Sequence, residues 1–512
     1  MSGNHAHKSI KDVLEVTMAN KDKDLISSIV STNLNDIFEC EHNIEYPLDS
    51  VVIDKLRYID SKLSESDDDY QIYNYISEIK FLWKEIISKS IKCLRYYDKR
   101  EPFMANGEKK PTAYGVEELS RYFEKYIEFE TMLYGSNRYY RDHVVHVFRT
   151  WLLGVECLLK NNARYLEEIK IGDEAEINNF EKVSIWSIIG LTHDLGYPLE
   201  KARQIIGKTQ EMMSTFVTNP NISMDLSFSG VQNNMNDFVV RFLSSKMKPR
   251  VEDGVASYVA RLQPKYYFKF QKSLENSKHG IVSSIIIYKI LNYFLESDYN
   301  INEDYTFDEE DKRQFYIRRE ILRAIASHTC KDIYHLYMSS FSFLLIIVDD
   351  SQEWGRKRIS ELYTKDTKKY ELNTISFNFE NENNNICHID ERFELSHDEA
   401  ALAQLLYSLR KQCEVYMEIF RDGQDTVNRN FTFVKNCEIK FGSNPAIRFN
   451  VNFEISNTTV STFFVKKNYT GTINIDNKYD DDFVKKSFRV DQVQTEEIEE
   501  DYRRTKKYSI PL

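Results

Sequence analysis

The chain has 512 residues, 42% of them hydrophobic, and carries 68 Lys and Arg against 80 Asp and Glu, a formal charge of -12. That length allows large buried cores and suggests two to four domains, while the acidic balance argues against a general nucleic-acid coat or an anionic membrane surface as the main partner and leaves room only for a local basic groove. Seven cysteines without a C-x-x-C pair point to reduced, packed thiols, and the lack of an apolar leader or of a run of ~20 apolar residues gives the expectation of a soluble, cytoplasmic protein.

Only 16 Gly and 9 Pro occur, with no Pro between Pro264 and Pro445, so the expected fold class is mainly α. Apolar spacing predicts helices over Ile10 to Met18, Leu25 to Phe38 and Tyr70 to Tyr97, and a stretch rich in Pro, Gly and charge at 100–111 closes an N-terminal helical region, 1–112. A helical core is then expected over 113–362. Its first stripe runs from Val116 to Leu133, and a second helix, from Asn137 to Gly154, sets His143 and His146 three apart on one face. Ile185, Ile188, Ile189 and Leu191 form the buried face of a helix that ends in the adjacent pair His193-Asp194; Gly196 suits a left-handed stop and Pro198 the start of the next helix. Residues 214–275 read as a less regular insertion of the kind that forms lids. His279 opens an apolar helix, His328 closes another, and Asp349 and Asp350 stand at the polar end of a buried segment.

After Arg358 the pattern changes to strand-like alternation at Thr374–Phe379 and Ile386–Leu395, a helix over Asp398–Ile419, and strands at Phe431–Phe441, Ala446–Ile455 and Thr459–Val465. This predicts a C-terminal α+β domain, 370–480, followed by a charged tail, 481–512, that is acidic and then basic.

Any one of these histidines reads as a capping or core residue. Taken together, His146, His193-Asp194, His279, His328 and Asp349 sit on or at the ends of helices, and imidazole with carboxylate suits zinc, iron, manganese or magnesium. With His-Val-Phe-Arg at 146–149, Leu-Thr-His-Asp-Leu-Gly at 191–196, His-Gly-Ile-Val at 279–282, Ala-Ser-His at 326–328 and Val-Asp-Asp-Ser-Gln-Glu-Trp at 348–354, the chain resembles the HD superfamily of metal-dependent phosphohydrolases over roughly 116–360. The resemblance implies an all-helical HD-type core in which His146, His193, Asp194 and Asp349 hold one divalent metal, and Asp194 bridges to a second held by His279 and His328. Asp350 is the alternative to Asp349. It further implies a small phosphate ester or nucleotide as substrate and a metal-activated water as nucleophile. His143 is a candidate to contact phosphate or donate a proton, or else to support the ligands, and Lys201 to bind phosphate or face solvent. Tyr197 to Lys201 replaces the extra histidines of the family's triphosphohydrolases. Two other readings stay open: a di-iron oxygenase with the same ligand order, and a sensor or scaffold protein in which the metal core supports the fold or senses a ligand while the terminal domains do the work; on any reading the C-terminal domain is a candidate to mediate regulation or a homo-oligomer.

Overall fold

The computed structural model describes residues 20–38, 44–64, 70–105, 107–136, 142–171, 176–216, 231–252, 254–297, 299–302, 304–330, 339–356, 370–380, 385–395, 399–419, 431–441, 448–460, 464–476, 481–500 and 503–510. The helix expected over Ile10 to Met18 lies outside them, as do residues 137–141. The molecule is mainly helical with a C-terminal sheet, as the composition and periodicity led one to expect. No helix among the described residues is long and apolar enough to cross a membrane.

The first helices are α1 (Lys21–Ser31), α2 (Ser50–Lys62), α3 (Ile76–Tyr96), α4 (Val116–Ser136), α5 (Val144–Glu168) and α6 (Asn179–Thr192). Helix α6 is the axis of the bundle: every residue from Phe180 to Thr192 is buried, as befits a helix apolar on all sides. A capping box fixes its start, Asn178 accepting from the Glu181 backbone at 3.0 Å and Glu181 from the Asn178 backbone at 3.2 Å. Two tryptophans pack around it and a third, Trp186, belongs to it, all with their indole N–H groups satisfied. Trp83 of α3 donates to the Leu191 carbonyl at 2.9 Å, Trp151 of α5 to Ser187 at 3.0 Å, and Trp186 to the Trp151 carbonyl at 3.1 Å. The helices before residue 112 thus share one core with those after it. A fully buried ion pair joins them, with Arg149 of α5 donating to both oxygens of Asp22 in α1 at 2.7 and 2.6 Å.

The chain continues through α7 (Tyr197–Ser214), α8 (Val231–Leu243), a hairpin of β1 (Ser245–Glu252) and β2 (Val255–Leu262), α9 (Pro264–Glu275), α10 (His279–Ile290), the short α11 (Asn292–Leu295), α12 (Glu309–Ser327) and α13 (Phe341–Ser351). The described part of the 214–275 insertion is therefore ordered as helix, hairpin and helix. The sequence hid the hairpin because Lys-Pro-Arg at 248–250 reads as a break, yet a proline is tolerated in a two-stranded ribbon.

The C-terminal region holds β3 (Tyr370–Glu380), β4 (Asn385–Leu395), α14 (Glu399–Ile419), β5 (Phe431–Phe441), β6 (Arg448–Val460), β7 (Phe464–Asp476), α15 (Asp481–Phe488), β8 (Gln494–Glu500) and β9 (Arg503–Ile510). The sheet order is β3-β4-β5-β6-β7-β9-β8. Its single parallel pair, β4 with β5, is joined through α14, the crossover that parallel pairing requires. Two expectations need correcting. The strand expected at 459–465 is instead the end of β6 and the start of β7. The expected charged tail is α15 followed by two strands of the sheet: its register sets acidic positions 496, 497, 499 and 500 opposite basic positions 507, 506, 504 and 503, a pairing that favours strands.

Candidate metal centre

Five helix ends meet at one cavity. His146 lies in the first turn of α5, His193 and Asp194 follow the last turn of α6, His279 opens α10, His328 follows α12, and Asp349 lies in the last turn of α13. Helix α6 runs through His193 without a left-handed stop, because Gly196 has φ -80. The glycine there serves close approach: a Cβ would collide with the His279 carbonyl and lie 2.8 Å from the Ser283 nitrogen. Ser283 ties the two segments, donating to the His193 carbonyl at 2.6 Å and accepting from the Gly196 N–H at 2.8 Å. Pro198 does open α7, as expected.

The six ligand candidates come together. Among the described residues, His146, His193 and Asp194 form one group able to hold a metal ion, and Asp194, His279 and His328 form another. Asp194 divides its oxygens between them: Oδ2 lies 3.8 and 3.7 Å from the Nε2 atoms of His146 and His193, and Oδ1 lies 3.3 and 3.7 Å from those of His279 and His328. Asp349 joins the first group, its Oδ1 2.8 Å from His146 Nε2 and 3.6 Å from His193 Nε2. Asp350 does not: its carboxyl is pushed up to about 8 by burial and then by the neighbouring Asp349 charge, and its backbone carbonyl accepts from Gln412 of α14.

The donor set fits a divalent cation by more than composition. His193 Nδ1 donates to the Gly190 carbonyl at 2.9 Å and His328 Nδ1 to the Ile325 carbonyl at 2.6 Å, so in the neutral rings both Nε2 lone pairs face the cavity. His193 Nε2 is buried with no hydrogen-bond partner among the described residues. The Nε2 atoms of His279 and His328 face each other at 3.1 Å, close to the ~3 Å separation of two nitrogens that each bind one metal at about 2.0–2.1 Å. Two lone pairs so placed repel unless a proton or a metal ion is shared between them.

Charge follows from this crowding. Burial raises the Asp194 and Asp349 carboxyls, but the surrounding imidazoles outweigh it and hold both well below the usual carboxylate range. Burial opposes charge on His193 as well, yet with no metal bound Asp194 and Asp349 push it up to about 9, so a metal ion at its Nε2 would displace a proton. His143 and His146 are lowered by burial and then by Arg356, whose Nε donates to the Asp142 carbonyl at 3.1 Å.

Of the two further candidates, His143 caps α5 with its ring stacked on Tyr197 at 3.6 Å and its Nε2 4.0 Å from Asp194. Lys201 lies half-buried over the same Tyr197 ring, 4.7 Å from its centroid, and burial lowers its ammonium. Two residues that the sequence reading gave no role support the ligands. Glu200 accepts from His279 Nδ1 at 2.7 Å, and Gln352 Oε1 lies 2.5 Å from His146 Nδ1. Each stands one or two helical turns from a candidate ligand, Glu200 six residues after Asp194 and Gln352 three after Asp349, which is the only signal the sequence offers. Compared with protein-family models, with curated proteins and with solved structures, the chain matches none.

Proposed function

We propose that this chain is a metal-dependent phosphohydrolase of the HD type, acting on a phosphate ester, with nucleotides as the first class to test and two divalent cations as cofactor. The observation that carries the reading is the divided carboxylate of Asp194, one oxygen turned to each histidine group. Two cations held by these residues would lower the pKa of a bound water and neutralise phosphoryl charge. Hydrolysis then adds one water across a P–O bond, the water oxygen going to phosphorus and a proton to the leaving oxygen, with no change of oxidation state.

The chain's own groups do the rest. The carbonyls of Gly190 and Ile325 and the carboxylate of Glu200 fix the ring orientation of His193, His328 and His279. His143, kept neutral by burial, offers a hydrogen bond to the reacting phosphate, and Lys201 supplies positive charge beside it. His279 and Asp349, whose side chains are 18% and 25% exposed against 1% or less for His146 and His193, mark the side from which a substrate would approach.

Elemental analysis of protein purified without added metal, for wild type and Asp194→Ala, with a phosphate-release screen on each, tests this reading. About two metal equivalents in wild type, lost in the variant together with phosphate release, is the expected result. Two irons with oxygen uptake and no phosphate release would replace it with the oxygenase reading. Absence of metal after reconstitution with manganese, zinc or iron would leave a scaffold or sensor.

A further inference from the structure

Beside the basic run at 503–507, the acidic chain carries a longer basic segment ahead of His279. Residues 245–278 hold eight Lys and Arg against three Asp and Glu, within a protein of net charge -12. Helix α9 lies at its centre, and its two faces are chemically distinct. Tyr266 and Phe270 are buried, while Lys265, Phe268 and Lys272 are exposed and Lys269 is half-buried, all four on one face at helical spacing. Phe268 is 68% exposed, as Phe103 and Phe216 also are to a similar degree, and it differs from those two in standing among the lysines of one helix face. Exposed Arg261 precedes the helix and exposed Lys278 follows it. The strip is thus about 18 Å long for the 12 residues of α9.

Its far end reaches the metal centre. Lys278 is the residue before His279 and stands near enough to Lys201 to disfavour that ammonium's charge. The backbone of α9 also touches the cavity wall, with the Lys269 carbonyl 3.8 Å from the thiol of Cys330, two residues after His328. Cations spaced along a face, with a ring among them, suit a chain of phosphates carrying flat bases: the lysines meet the backbone and the ring stacks on a base. The apolar side of α9 is committed to the protein core, so it is not free to enter a lipid surface as an amphipathic membrane helix would. A single helix face on a protein of net charge -12 suits one charged strand better than the two of a duplex.

We propose that the outward face of α9, flanked by Arg261 and Lys278, binds single-stranded nucleic acid and leads a phosphodiester to the metal centre. The binding stands on the strip itself; the delivery of a scissile bond rests on the hydrolase reading above, and the bond change is the same addition of water across P–O.

The test uses the full-length chain and a fluorescein-labelled 20-nucleotide single strand, with binding read by anisotropy from 50 to 200 mM salt. Wild type is expected to bind, with log K falling against log salt by about 0.7 for each phosphate neutralised. The double variant Lys265→Glu/Lys272→Glu weakens binding at least about tenfold and flattens the salt slope, and Phe268→Ala weakens it about tenfold with the slope unchanged. Hydrolysis of bis(p-nitrophenyl) phosphate with added manganese is unchanged in all three proteins. Wild type that cleaves this ester but binds no strand, or binds it equally in the variants, overturns the strip while leaving the hydrolase. Strand binding that the variants lose, in a protein that cleaves no ester, keeps the strip as a binding site and overturns the hydrolase. Strip-dependent binding to phosphatidylserine vesicles without strand binding overturns the proposal in favour of a membrane surface.

Discussion

Asp194 is the residue whose loss costs the centre most, since it alone belongs to both histidine groups. The residues behind the ligands matter nearly as much, and Glu200 is the clearest case. It receives both the ring N–H and the backbone N–H of His279, at 2.7 and 2.9 Å, and these bonds hold its carboxyl down to about 2 against the effect of burial. Glu200→Gln keeps the shape but removes the charge that makes the imidazole a strong donor. Metal affinity, measured by competition with a chromophoric chelator, is expected to fall about 10- to 100-fold. At this scale the sequence was informative about which His and Asp residues meet, because His and Asp at helix ends are few and chemically distinctive. It was uninformative about Glu200 and Gln352, because a Glu in a first turn and a Gln after a last turn are ordinary surface residues until the fold sets a histidine ring beside them.

Among the elements, α6 shows how a helix can be wholly buried and still carry charge. Lys182 is buried at 6% exposure, and its ammonium donates to the carbonyls of Leu166 and Glu167 at 2.8 and 2.9 Å, closing the C-terminal end of α5. Burial lowers it from 10.5 to about 8. Between these values the unfolded chain binds more protons than the folded one, so the Lys182 contribution to stability rises with pH from about 8 to 10.5 and is lost as pH falls through 8. Urea unfolding at pH 7.5 and 9.5 should therefore show a gain in wild type that is smaller in Lys182→Met. Periodicity made the helices legible because their apolar faces repeat every turn. The β1–β2 hairpin and the last two strands were not legible, since strand pairing is set between segments: the acidic and basic runs at 496–500 and 503–507 look like a solvated tail until the register brings them opposite. Gly196 was read for its freedom of φ, whereas what it provides is the lack of a side chain where α7 meets α10.

For the whole molecule, one chain of hydrogen bonds joins the N-terminal helices to the candidate metal centre. Asp22 of α1 binds Arg149 and the Trp354 indole, the Trp354 carbonyl accepts from Arg149 at 3.0 Å and from Gln352 at 2.8 Å, and Gln352 holds His146. Asp22→Ala strands a buried guanidinium and is expected to cost about 3–5 kcal/mol of unfolding free energy, read by denaturant titration. Because the same chain of bonds ends on His146, the variant should also bind metal more weakly than wild type at temperatures where both are folded. The convergence of helix ends has a further meaning in terms of dipoles. Helices α6, α12 and α13 bring their C-terminal ends to the cavity, each with a partial negative charge of about half a unit, while α5 and α10 bring N-terminal ends of opposite sign. The backbone alone thus divides the cavity into a pole that attracts cations and a pole that attracts anions. His143 and Lys201 stand beside the second, so the peptide framework gives the candidate centre a side suited to anions before any side-chain charge is counted.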